Sequence, residues 1–109
     1  MDVRYSANPE DVKHYDTRRL REEFLVDTLF KPGEIVLVYS HIDRMIAGSA
    51  CPAGTGEDFS LALTAGKELG VDYFLERREM VALNLGGKGV ARVDGKECEL
   101  GKHDALYIG

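Results

Sequence analysis

Three histidines, two cysteines and a pair of adjacent arginines are the residues of this 109-residue chain from which a reactive or binding site could be built. A zinc-type site needs three or four His, Cys, Asp or Glu side chains converging at about 2 Å, and in β barrels a close pair such as HxH usually anchors it. His14, His41 and His103 stand far apart and form no such pair. No metal ligand is assigned, and no metal is expected on this chain's own residues. Cys51 and Cys98 make neither a CxxC pair nor a disulfide framework and are expected as buried, reduced thiols. Ser40 beside His41 suggests no nucleophile, because neighbours on a strand point to opposite faces, and no GxSxG elbow is present. No catalytic residue is assigned.

Recognition chemistry has better candidates. His41 opens HIDRMI, where a strand would alternate His41, Asp43 and Met45 on one face with Ile42, Arg44 and Ile46 on the other, placing an imidazole beside a carboxylate. A structural, hydrogen-bonded histidine is the simpler reading. In FLERRE, Phe74 to Glu79, two arginines lie between two glutamates. That run reads either as self-neutralising charge at a strand end or as carboxylate recognition, since a guanidinium matches a carboxylate with two parallel hydrogen bonds. The stretch LGGKGVA, Leu85 to Ala91, superficially offers a phosphate loop. No serine or threonine follows its lysine, and a hairpin rather than a helix comes next.

The elements that would position these residues change character along the chain. Asn8 and Pro9 predict a short first helix, with Glu10 and Asp11 suited to the positive end of its dipole. Asp16 caps a second helix through about Val26, with Leu20 and Phe24 one turn apart as the face for a sheet. After Lys31, Pro32 and Gly33 the chain turns to strands. Ile35 to Tyr39, Arg44 to Ala47, Phe59 to Leu63, Tyr73 to Leu75, Met80 to Leu85, Val90 to Val93 and Ala105 to Ile108 are the candidates, with Gly48 to Asp58 as a loop. Thr64 to Gly70 fits either a helical turn closed by Gly70 or a loop. Asp94 and Gly95 predict a two-residue type I′ hairpin turn that sets Arg92 opposite Glu97 and puts Ala91, Val93, Cys98 and Leu100 on the other face.

The expected fold is one mainly β domain over 1–109, a sandwich or barrel at 35–109 preceded by a helical arm at 1–26. With 44% hydrophobic and 30% charged residues the composition is that of a globular domain, and a net charge of −5 with no long basic run argues against nucleic acid. No segment has the apolar length for a membrane, and the N-terminus has no signal-peptide character, so a cytoplasmic protein is expected. The sequence stops at Gly109 directly after an apolar strand, which suggests a chain cut short, and an unpaired edge at 105–108 predicts self-association.

Taken in order, MDVR, LREEFLV, VYSHIDRMI, LGVDYFLERREM, NLGGKGVARVDG and HDALYIG resemble the N-terminal half of the 5-keto-4-deoxyuronate isomerase family, the 4-deoxy-L-threo-5-hexosulose-uronate ketol-isomerases. The resemblance covers nearly the whole chain and is weakest from Cys51 to Ala65. It implies a two-halved cupin working as a cytosolic homo-oligomer, a hexamer, in pectin and uronate breakdown. It also implies interconversion of a 5-keto-4-deoxyuronate and 2,5-diketo-3-deoxygluconate, by proton movement between neighbouring carbons through an enediol-like intermediate. The family's zinc ligands, an HxH, Glu and His set, belong to the second cupin half and have no counterpart here. What the resemblance leaves to this chain is a scaffold role, with His41, Arg44, Arg77 and Arg78 as candidates for substrate or subunit contacts. Two other readings remain: 5-deoxy-glucuronate isomerase, a relative in the same broad group, and a non-catalytic sugar-binding or oligomerisation module, since fold alone does not fix chemistry.

Overall fold

The computed structural model describes residues 1–53 and 59–109. The chain is mainly β with three short helices, and it divides into two compact units, Met1–Leu63 and Thr64–Gly109.

The first unit begins with β1 (Asp2–Arg4), then α1 (Pro9–Val12), α2 (Thr17–Phe24), β2 (Ile35–Ser40) and β3 (Met45–Ala50). Both helices start where the capping residues place them. The Asn8 side chain accepts from the Glu10 N–H at 2.9 Å, and Asp16 Oδ1 accepts from the Arg19 N–H at 2.8 Å, so each cap satisfies a donor that the first turn leaves open. Leu25 turns to extended backbone, φ −88° and ψ 134°, and ends α2 two residues before the expected Val26. Leu20 and Phe24 share a face of that helix but both stay exposed, so α2 buries no residue of its own.

β2 is the middle strand of a three-stranded sheet, parallel to β1 and antiparallel to β3. Val38 sits between Asp2 on one side and Ala47 on the other, and it is one of two buried hydrophobic residues among those described. β1 has no sequence signal of its own, being three residues with a charge at each end. It is a strand because the open edge of β2 offers it a ladder. β3 runs Met45–Ala50, starting later and ending later than the expected Arg44 to Ala47. Gly48 to Ala50, read from sequence as loop, are therefore strand. A Cβ on Gly48 would lie 2.5 Å from Leu37 Cδ2 and 2.7 Å from the Val36 carbonyl oxygen, so this glycine serves close strand approach rather than a turn. The remainder of the expected loop lies partly in residues 54–58, outside those described.

Two expected strands are not formed. Phe59 to Leu63 has no ladder partner and is irregular, and Tyr73 to Leu75 belongs to bends and turns that bury Phe74. Both are short apolar runs, and length alone cannot distinguish a strand from a turn that tucks one aromatic ring inside.

The second unit holds α3 (Gly66–Leu69), β4 (Met80–Leu83), β5 (Gly89–Val93), β6 (Lys96–Leu100) and β7 (Ala105–Ile108). The ambiguous TAGKELG segment is the helical turn, closed by Gly70 in left-handed backbone. β5 and β6 form the expected hairpin. Asp94 and Gly95 have φ of 48° and 77°, as the type I′ turn requires, and Arg92 Nε donates to Glu97 Oε1 at 2.8 Å across the ladder. Ala91, Val93, Cys98 and Leu100 are half-buried while Val90, Arg92, Glu97 and Glu99 are exposed, so the alternation expected of this ribbon holds. β4 pairs antiparallel with β7 and stops at Leu83, two residues short of the expected Leu85; the Asn84 backbone bonds to His103 and Asp104 while its side chain holds neighbouring loops.

Candidate functional site

Ser40 pairs with Met45, which leaves His41 to Arg44 as the four-residue turn of the β2–β3 hairpin. The expected strand through HIDRMI is thus a turn, with Arg44 in left-handed backbone at φ 54°, and His41 and Asp43 share no strand face. The physical reason is register: with six consecutive β2–β3 pairs formed, the chain must reverse in these four residues.

His41 is held from three sides. Its backbone N–H donates to the Arg4 carbonyl at 2.9 Å, its ring stacks on Tyr5 with centroids 5.0 Å apart, and Tyr39 meets it edge-on at 4.7 Å. Ring pairs of this geometry add about 0.5–1.5 kcal/mol each beyond area burial. The imidazole therefore fastens the end of β1 to the hairpin turn. No sequence rule could have found Tyr5, which sits 36 positions away and comes near only because β1 pairs with β2.

Two clefts open on the same unit. One, of about 420 Å³, is bordered by Asp2, Arg4, Tyr5, Tyr15, Arg19 and Glu22, with the Arg19 guanidinium 4.1 Å over the Tyr15 ring. Its charges are of mixed sign. Arg4 is already committed, through Nε to Asp2 at 3.1 Å and through a guanidinium N–H to the Leu25 carbonyl. The other cleft, of about 310 Å³, is more apolar and is bordered by Phe24, Val26, Val38, Ile42 and Met45. His41 lines neither.

In the second unit FLERRE lies in and just after a turn: the Glu76 N–H donates to the Tyr73 carbonyl at 3.1 Å and the Arg78 N–H to the Leu75 carbonyl at 3.3 Å. Arg77 projects into solvent with Glu76 4.0 Å from its Nε, a contact too open to neutralise it strongly. Arg78 is half-buried and makes interactions of its own, as does Arg44. Of the four candidate residues, two thus share the hairpin turn of the first unit and two share the FLERRE turn of the second.

The glycine-rich stretch has a structural use that sequence reasoning missed. Asn84 Nδ2 donates to the carbonyls of Gly87, Leu100 and Gly101 at 2.9, 2.9 and 3.1 Å, and its Oδ1 accepts from the Gly86 N–H at 3.1 Å. One amide thereby ties the loop after β4 to the loop after β6. The cysteines, expected to be buried, are half-buried and unpaired.

Among the described residues no three His, Cys, Asp or Glu side chains come together as a metal site, and no helix is long and apolar enough to cross a membrane. Among the described residues, Tyr107 is the titratable group with a resolved shift. Its phenol is held above the usual value of 10.0, first by a hydrogen bond with Glu79, then by desolvation and the charge of that carboxylate. A raised folded-state value means that the contact stabilises the fold fully below pH 10 and that this contribution disappears as pH rises through the folded value. Glu79→Gln is accordingly expected to lower the Tyr107 midpoint toward 10, measured as the difference in ultraviolet titration between each protein and its Tyr107→Phe partner. An unmoved midpoint would remove Glu79 as the cause.

No protein-family model matches the chain. Curated proteins do. The chain is similar over all 109 residues to the 4-deoxy-L-threo-5-hexosulose-uronate ketol-isomerase of Lachnoclostridium phytofermentans, at 58% identity. Proteins of the same name from Halalkalibacterium halodurans and Edwardsiella ictaluri match over the same 109 residues at 54% and 48%. In each case the chain spans 38% of the relative's length.

Proposed function

We propose that this chain is the N-terminal part of a ketol-isomerase acting on 4-deoxy-L-threo-5-hexosulose-uronate, and that its role there is to scaffold the enzyme and to supply recognition rather than catalytic groups. The observation that carries the reading is identity of 58% sustained over the entire chain with a protein of that name. The relatives' shared name also favours this enzyme over 5-deoxy-glucuronate isomerase.

The reading includes a zinc-dependent cupin that assembles as a cytoplasmic hexamer in uronate degradation. The donor set described here does not fit zinc, since no three ligands converge. The metal's ligands would have to come from the part of the relatives' length that this chain does not span. What the chain offers the substrate is cationic. Arg77 presents a solvent-facing guanidinium able to take a uronate carboxylate in a bidentate pair, and the same group would serve a contact between subunits. His41, packed between two tyrosine rings, is better suited to holding the hairpin turn in place so that Arg44 can make such a contact.

The test exchanges this chain for the matched segment of the Lachnoclostridium relative and follows isomerisation of the keto-uronate. The chimera is expected to turn over within about tenfold of the parent, about 1.4 kcal/mol in barrier, while the 109-residue chain alone shows no conversion. A folded but inert chimera, alongside uronate binding by the chain alone, would replace this reading with that of a sugar-binding module.

A further inference from the structure

The larger cleft of the first unit lies between the N-terminal segment and α2. Arg19, Glu22 and Glu23, spaced within about one turn of α2, form one wall together with Tyr15, and the extended chain of β1 and the residues after it form the other. Its volume of about 420 Å³ is that of a small-molecule site. The charges on the walls narrow the ligand. Arg4 is engaged by Asp2 and by the Leu25 carbonyl, Glu22 by Arg18 at 2.6 Å, and Arg19 by the Tyr15 ring. A carboxylate entering the cleft meets Asp2, Glu22 and Glu23 and must displace one of these partners, so a uronate is disfavoured. A cation meets two guanidiniums and finds one face of Tyr15 already taken by Arg19. Neutral hydroxyl groups escape both penalties.

Two features of the cleft receive them. Arg19 Nε and Glu23 Oε1 stand 3.8 Å apart, too far for a hydrogen bond between them. One hydroxyl at ordinary bond lengths spans that gap, accepting from the guanidinium and donating to the carboxylate, because a hydroxyl is donor and acceptor at once. The second feature is a ring. Tyr5 is 74% exposed and has His41 stacked on one face, which leaves the other face open. The negative face of an aromatic ring attracts the weakly positive C–H side of a sugar ring. We propose that the cleft between β1 and α2 binds a neutral pyranose, with its C–H face on Tyr5 and one hydroxyl bridging Arg19 and Glu23. The site is independent of the ketol-isomerase reading, since it has no use for a uronate carboxylate.

The test titrates the 109-residue chain with methyl β-D-glucopyranoside and with the corresponding uronide, which differs from it only in the oxidised C6, and follows the Tyr5 and Tyr15 ring signals and the Arg19 Nε–H by nuclear magnetic resonance. The neutral glycoside is expected to shift these signals with a dissociation constant on the order of 1–10 mM, and the uronide to bind at least about tenfold more weakly. Arg19→Met keeps the stem over Tyr15 but removes the donor, and Tyr5→Leu removes the platform. Each should weaken the glycoside by at least about fivefold. Because Arg19 is exposed on the helix surface, that variant stays informative if Tyr5→Leu loosens β1. Three results would each overturn the site: no shift at about 50 mM glycoside, more than tenfold the weakest expected constant or near it; tighter binding of the uronide; or full affinity in folded Arg19→Met.

Discussion

Asn84→Ala should destabilise the second unit by about 2–3 kcal/mol, lowering its melting temperature by about 10–20 °C. The substitution removes an amide whose two N–H hydrogens are shared among the carbonyls of Gly87, Leu100 and Gly101 and whose oxygen accepts from the Gly86 N–H, and of these partners only Leu100, at the end of β6, lies in a strand ladder. A half-buried carbonyl left without its donor costs about 1–3 kcal/mol unless water reaches it, and two of the three carbonyls here are part-buried. Asn84→Asp separates the donors from the acceptor, since a carboxylate still accepts from Gly86 but can only repel the three carbonyls. It is expected to be at least as damaging as alanine. Melting followed by circular dichroism checks both variants. A shift below about 2 °C in either would mean that the backbone bonds flanking Asn84, to Asp104 at 2.9 Å and from His103 at 2.6 Å, hold the loops unaided.

Gly48→Ala is the second large effect. In an open strand this change commonly stabilises by about 0.4–1 kcal/mol, because alanine has less backbone freedom to lose. At Gly48 the sign should reverse. The Leu37 methyl 2.5 Å away can rotate aside, but the Val36 carbonyl oxygen at 2.7 Å belongs to the central strand and cannot. Separating β3 from β2 locally is expected to cost about 1–3 kcal/mol, as overpacking does elsewhere. The urea midpoint of the first unit should fall accordingly, and Gly48→Val should lower it further. Gly87→Ala is the comparison, because a Cβ there meets nothing within 4 Å, and it should leave stability nearly unchanged. Equal effects at the two positions would show that the hairpin relaxes freely around residue 48.

The same glycine shows where sequence reasoning reaches its limit. Gly48, Pro52 and their small neighbours have the composition of a loop, and the residue type is identical whether it permits a turn or a close approach. Only the β2–β3 register, which sets Gly48 opposite Leu37, decides between the two. The candidate site divides in a similar way. His41 was found by its type and its neighbourhood, but its environment is made by Tyr5, and its strand alternation with Asp43 dissolves in the hairpin turn. The arginines of FLERRE were read in a strand context and stand at a turn whose purpose is to bury Phe74.

What the sequence determined by itself is what depends on near neighbours: the Asn8 and Asp16 caps, the Asp94–Gly95 turn with its Arg92–Glu97 pair, and the strands at 35–39, which the structure extends by Ser40, and 105–108. Each is fixed by hydrogen bonds or dihedral preferences acting within a few residues, so the local pattern carries the whole instruction. The tertiary structure alone decided that Asp2–Arg4 is a strand, that Asn84 fastens two loops and that one apolar face of the β4–β7 ribbon is turned outward. These depend on partners tens of positions away, and which partner arrives is set by the burial and ladder bonds gained over the unit as a whole, a quantity that no local stretch of sequence contains.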